Sequence, residues 1–279
     1  MKAITVEDLS KTFLVRQKEK GMKGSLRAIV KPKTEEIRAV DKLSFDVDEG
    51  EMLAFIGPNG AGKSTTIKML TGILYPDSGN IEVLGINPVK QRKKLSYEIG
   101  TVFGQKEQLW THLTPYDNFR FFGAIYDLSD EETAARIDEF TDIFELGSFI
   151  NTPVRNLSLG QRIRCEIAAS LIHRPRILFL DEPTIGLDPV VKENIRQLIQ
   201  QMNKEFNTTI FLTSHDVGDI EKLCKRIIIV NHGQIVLDDS MLNLKHNYLS
   251  NNIDADNMKD VNISDIPLED IITHIYKSR

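Results

Sequence analysis

Met52-Leu53-Ala54-Phe55-Ile56 is an unbroken apolar run of strand length, the pattern of a strand buried on both faces of a parallel sheet. Ile177-Leu178-Phe179-Leu180, Thr209–Thr213 and Ile227–Val230 repeat that pattern further along the chain. Residues 3–9 and Leu43-Ser44-Phe45-Asp46-Val47 alternate instead, which predicts half-buried antiparallel strands. Ile81-Glu82-Val83-Leu84, after the turn Asp77-Ser78-Gly79-Asn80, predicts another strand. Between these runs the period lengthens. Thr65–Leu70 reads as a helix stopped by Gly72 and Pro76. The stretch from about 106 to 175 is mainly helical: Ser129-Asp130-Glu131-Glu132 is a capping box, followed by Ile137, Phe140, Ile143 and Phe144 at helical spacing. Ile163, Ile167, Ser170 and Leu171 predict a helix beginning just after Gly160. Val191, Ile195, Leu198, Ile199 and Met202 share one face of a helix over Val190–Phe206. Asn231-His232-Gly233-Gln234 is a hairpin turn between Ile227–Val230 and Ile235–Leu237. From about Ser240 the tail is polar and acidic, until Leu268, Ile271, Ile272 and Ile275 mark a short amphipathic helix.

Bulk properties narrow the function. A length of 279 residues permits one large domain or two small ones. The net charge of −5 provides no general basic field, so no nucleic-acid partner is expected. Cys165 and Cys224 lie far apart, without metal or redox spacing, and read as small core residues in a reducing compartment. No uncharged apolar stretch approaches the roughly 18–20 residues that span a bilayer, so any membrane role is expected to come through a partner. The start of the chain reads as a strand and not as a signal segment. Arg16–Arg38 is rich in Lys and Arg; it is either a solvated loop or a surface facing acidic lipid or a partner.

The chemistry is concentrated in Gly57-Pro58-Asn59-Gly60-Ala61-Gly62-Lys63-Ser64, which matches G-x-x-x-x-G-K-[ST] at every fixed position. The loop sits between a buried strand and a helix, the context in which this pattern binds a nucleoside triphosphate. Its glycines let successive N–H groups turn inward, and the helix N-terminus adds its positive dipole end. Lys63 is the candidate ligand of the β- and γ-phosphates, and Ser64 of magnesium.

Downstream come Leu157-Ser158-Leu159-Gly160-Gln161, then the apolar run that ends in Asp181-Glu182, then Ile185-Gly186-Leu187-Asp188 and Thr213-Ser214-His215. With Gln105 and the loop through Thr65, these stand in the order found in the ATP-binding subunits of ABC transporters, which residues 1–240 resemble. The resemblance implies an α/β fold: a P-loop, RecA-like, mostly parallel sheet core, an N-terminal antiparallel β subdomain and an inserted α-helical subdomain carrying the signature. It places an ATP-binding domain over 1–240 and a C-terminal extension over 241–279. The helical subdomain would occupy about 106–175, with a basic insertion at about 16–38. ATP and Mg2+ are the implied cofactors. Asp181, a hard oxygen ligand ending a buried strand, would hold the magnesium together with Ser64 and Gln105.

In the same way Glu182 is similar to the base that polarises the attacking water, Gln105 to the residue linking that water to the helical region, and His215 to the γ-phosphate sensor. Ser158, Gly160 and Gln161 would cap the triphosphate held by a second ATP-binding subunit, and Asp188 would signal between the two sites. Leu159 departs from the family's usual glycine-type residue. Phe13 is either the adenine-stacking aromatic or a core residue. Leu109, Trp110 and Tyr116 either line the groove for a membrane permease or simply pack. His112, His173, His232, His246 and His274 read as structural. Phe103–Trp110, Leu159 and the basic insertion are similar to ATPases of bacterial drug- and viologen-type efflux systems. This implies export through integral-membrane permease subunits, with the ATPase peripheral on the cytoplasmic face. The rival expectation is a non-transport ABC ATPase acting on nucleic acid or ribosomes.

Overall fold

A computed structural model describes residues 1–16, 34–103, 106–252 and 267–277. Two sheets face one another. In the smaller, β1 (Lys2–Arg16) lies between β2 (Thr34–Asp48) and β4 (Ser78–Val83), antiparallel to both. The larger sheet has the order β5 (Ile99–Phe103), β6 (Ile177–Asp181), β7 (Thr209–Thr213), β3 (Met52–Ile56), β8 (Arg226–Asn231), β9 (Gln234–Ser240). Its first five strands are parallel. Only β9 returns antiparallel, through a tight turn in which His232 and Gly233 have φ of 47° and 77°.

The apolar runs are continuous because each parallel strand feeds two cores. Leu53 and Phe55 point toward the antiparallel sheet, while Ala54 and Ile56 point toward the helices. On the first side Phe55 sits 5.6 Å from Phe45 and 5.2 Å from Phe211, ring centre to ring centre. The alternation in β2 has the matching cause: Val40, Leu43, Phe45 and Val47 are buried while the intervening residues are wholly or partly open to solvent.

The helices are α1 (Lys63–Leu70), α2 (Arg92–Ser96), α3 (Pro115–Ile125), α4 (Asp130–Ile143), α5 (Leu159–Leu171), α6 (Pro189–Phe206), α7 (Val217–Leu223), α8 (Met241–Asn252) and α9 (Leu268–Lys277). The capping box at Ser129 and Glu132 is formed in both directions. Two features differ from the pattern-based expectation. α5 begins at Leu159, since Ser158 is the N-cap, and Gly160 lies inside the first turn. The polar tail after Ser240 forms α8, because two leucines suffice: Leu244 and Leu249 are buried in the same cluster as Leu268 and Ile271 of α9. Of the two readings open for Leu109, packing holds: it is a core residue, 4% exposed. Within the basic stretch, residues 34–38 extend β2 against β1; residues 17–33 lie outside the described set.

Candidate active site

The loop between β3 and α1 closes around its own lysine. A Cβ on Gly57 would stand 2.2 Å from the Val230 carbonyl oxygen, and one on Gly62 2.3 Å from that of Ala39, where φ is 105°. Only glycine lets the backbone pass this closely. Lys63 Nζ donates to the carbonyls of Gly57 (2.7 Å) and Pro58 (3.3 Å) and lies 3.4 Å from His215 Nε2. Burial pulls the Lys63 ammonium below its ordinary pKa, opposed by the charges of Glu182 and Asp181. A cation is thus held over the mouth of the loop by carbonyls that a phosphate can outcompete.

The C-terminal ends of β6 and β7 supply the rest, as is general for open parallel sheets. Their register sets Asp181 opposite Thr213. Asp181 accepts from Thr213 Oγ1 at 2.5 Å and from Ser64 Oγ at 3.1 Å, which joins the strand end to the first turn of α1. Glu182 has a left-handed backbone, φ 56°, held by donation from its N–H to the Thr213 carbonyl at 2.9 Å. Such a conformation costs a non-glycine residue about 1–3 kcal/mol and is found where function needs it. It turns the carboxylate to His215, with Oε1 3.0 Å from Nε2.

Ser64, Lys68, Phe103, Lys106, Asp181 and Glu182 line a cleft of about 280 Å³. Glu182 and His215 also border a second of about 250 Å³, beside Ile185 and Gly186. A somewhat larger cavity, about 320 Å³, lies at the other end of β6 and β7 against Arg174, Arg176 and Thr209, and contains none of this chemistry. Among the described residues no cluster of three or more His, Cys, Asp or Glu could hold a metal unaided. The Ser64 hydroxyl and Asp181 carboxylate are hard oxygen donors facing an open cleft, which fits a Mg2+ completed by phosphate and water.

Ser158 and Gln161 form a unit of their own. The Ser158 hydroxyl accepts from the Gln161 backbone N–H at 3.3 Å, and the Gln161 side-chain Oε1 accepts from the Ser158 N–H at 2.9 Å. Gly160 packs so closely that a Cβ would stand 2.5 Å from Val191 Cγ1. Val191 belongs to the first turn of α6, where Asp188 is the N-cap, accepting from the N–H groups of Val190 and Val191 at 3.1 Å each. The signature and the Asp188 turn are therefore one packed block, with Leu159 exposed on it. Among the described residues, Ser158 and Gln161 bond each other and not the phosphate loop.

Gln105 lies outside the described residues. Phe13 is an exposed residue of β1, its ring centre 5.8 Å from Lys11 Nζ. Trp110 and Tyr116 are exposed; the Trp110 ring meets Phe121 edge-on at 4.1 Å, and Phe121 and Ile125 continue the apolar surface along α3. His173 is half-buried, stacked 3.7 Å from Tyr126, and desolvation drives its pKa down to about 4. The pattern-based reading missed Thr213, Thr184 and Asp219. Their one signal is position, flanking Asp181-Glu182 and His215.

A family model described as "ABC transporter" matches residues 40–185. The ABC transporter ATP-binding protein NatA of Bacillus subtilis is 35% identical over 200 residues, 72% of this chain and 81% of NatA. The linearmycin resistance ATP-binding protein LnrL of Bacillus subtilis is 38% identical over 197 residues, and the alignment covers 71% of this chain and 63% of LnrL. The bacitracin transport ATP-binding protein BcrA of Bacillus licheniformis is 37% identical over 199 residues, covering 71% of this chain and 64% of BcrA. Among solved structures, cbiO1 of Clostridium perfringens, part of the ABC transporter complex cbiONQ, superposes with a TM-score of 0.73 at 27% identity, over 90% of this chain and 96% of cbiO1. A dimeric ATP-binding cassette in a post-hydrolysis state bound to ADP and Pi gives 0.70 at 27% identity, over 85% of this chain and 98% of that one.

Proposed function

The chain belongs to the ABC transporter ATP-binding family, and from that premise we propose that it powers export through a separate integral-membrane permease, from the cytoplasmic face. The observation that carries this is the convergence of Lys63, Ser64, Asp181, Glu182 and His215 at the C-terminal end of one parallel sheet. Among the described residues no helix is long and apolar enough to cross a membrane. Export is favoured by what LnrL and BcrA are named for, linearmycin resistance and bacitracin transport.

In this reading Lys63 leaves its loop carbonyls for the β- and γ-phosphates of ATP, within the amides of Gly57–Thr65. Ser64 and Asp181 would hold the Mg2+, with Gln105 as the third expected ligand, and the ion would supply charge neutralisation on the phosphates. Glu182 takes up the proton of the attacking water, and His215 Nε2, at 3.0 Å, keeps that carboxylate aimed and contacts the γ-phosphate. Phe13 stacks on the adenine, which suits its exposure. Ser158, Gly160 and Gln161 act on the triphosphate of a second ATP-binding subunit, since they lie in a block separate from the phosphate loop of their own chain. Binding ATP then favours the closed pair, because only that state adds contacts from both subunits. Trp110, Tyr116, Phe121 and Ile125 present the surface that moves the permease.

Affinity purification of the full chain from detergent-solubilised membranes tests this. A co-purifying polytopic membrane protein is expected. Recovery with ribosomes or DNA and no membrane protein would contradict it and favour the non-transport class.

A further inference from the structure

Beneath Glu182 and His215 lies a fully buried carboxylate outside the hydrolytic cluster. Asp219, in the first turn of α7, has no solvent exposure. Its Oδ2 accepts from Ser214 Oγ at 2.8 Å and from Thr184 Oγ1, and its Oδ1 accepts from Arg196 Nε at 2.7 Å. Ser214 immediately precedes His215, and Thr184 is two residues past Glu182. Arg196, itself buried on α6, reaches on to Asp216 Oδ1 at 3.2 Å, and Lys192 also donates to Asp216. Asp216 follows His215, and its N–H donates to Ser214 Oγ at 3.0 Å. Both residues flanking the histidine, and the loop after the glutamate, therefore converge on one anion and its arginine.

The convergence has a chemical reason. A buried carboxylate offers only acceptors, and here three donors arrive from three segments. No other side-chain bond joins Thr184 to the 214–216 loop among the described residues. Among the described residues the polar neighbours of the His215 ring, which is 45% exposed, are Glu182 and Lys63. Its placement therefore depends on how its backbone loop is held.

We propose that Asp219 is a positioning residue for hydrolysis, whose carboxylate fixes the two loops so that His215 Nε2 stays within hydrogen-bond reach of Glu182. This rests on the assignment of Glu182 and His215 as the hydrolytic pair. An asparagine at 219 keeps the volume but loses the charge that pairs with Arg196, and an N–H turned toward the two hydroxyls reverses or breaks the bonds they donate, so the hold on the loops weakens. The effect passes through the histidine and leaves the phosphate loop untouched.

The test is a double-mutant cycle on the purified full chain, with hydrolysis read across ATP concentrations and slow variants followed as single turnovers. Asp219→Asn is expected to lower kcat about 10–100-fold, the range typical of residues that orient a reacting group, with KM for ATP changed less than about threefold. In a His215→Ala background the same change should cost less than about twofold, because its route is already cut. An unchanged kcat for Asp219→Asn, or an equal loss in both backgrounds, overturns the proposal. Should Asp219→Asn fail to fold, Thr184→Val removes one donor at constant shape and carries the same two outcomes. A His215→Ala variant with normal turnover would instead reject the hydrolytic pair itself, which keeps the two failures apart.

Discussion

Replacing Glu166 with glutamine should stabilise the fold at pH 8 and do much less at pH 5. Glu166 lies on α5, only 4% exposed. Burial raises its pKa from 4.5 to about 7, reinforced by Glu107 and opposed by Arg162 and by a hydrogen bond from the Gln108 backbone. Unfolded, the carboxyl ionises above 4.5; folded, it keeps its proton until about 7. Between those values the folded chain binds more protons, so stability is lost as pH rises and the penalty is complete above the folded pKa. Linkage then gives a cost of about 1 kcal/mol at pH 5 and about 3 kcal/mol at pH 8. Glutamine cannot ionise, and its carbonyl still accepts from Gln108. Denaturant unfolding of both proteins at the two pH values should show the variant's advantage growing by about 2 kcal/mol. A difference that stays constant with pH would refute the burial of an ionisable group there. The position is informative because Gln108 and the Glu107–Arg162 pair (2.5 Å) tie the segment after Gln105 to the signature helix.

Three further outcomes follow from particular contacts. Gly62→Ala forces a Cβ to 2.3 Å from the Ala39 oxygen at φ 105°, so fluorescent-nucleotide titration should show at least about tenfold weaker ATP binding. Lys63→Ala removes the only cation lodged in the loop and should abolish tight ATP binding in the same titration; unchanged affinity would reject the loop as the phosphate site. Leu268→Ala empties a fully buried position and should cost about 2–5 kcal/mol locally. Hydrogen exchange should then accelerate in the amides of 268–277 while those of β3 stay protected.

How much of this was legible in the chain depends on what each segment packs against. β3, β6, β7 and β8 were readable because strands buried on both faces carry unbroken apolar runs between their ends. The turn at His232-Gly233 and the cap at Ser129 were readable because their chemistry is local. β5 was not: Gly100 interrupts it, required because a Cβ there would stand 2.6 Å from the Ser170 carbonyl at the end of α5. α8 was hidden because two buried leucines in a polar segment make no period. The residues of the phosphate loop, Asp181-Glu182 and His215 could be named in advance, but not their contacts. Ser64 and Asp181 are 117 positions apart, and only the sheet order brings them together. Asp219 carried no local pattern at all; its role emerges from three segments meeting on one carboxylate.

The central claim is that one copy owns half of each reaction centre. Sedimentation velocity of Glu182→Gln with ATP and Mg2+ tests it most directly, since this variant should bind ATP normally while turning over about 10²–10⁴-fold more slowly. The account predicts a species of twice the monomer mass that forms only with ATP. A variant that stays monomeric at every concentration, beside a wild-type chain whose activity per molecule is constant on dilution, would contradict it.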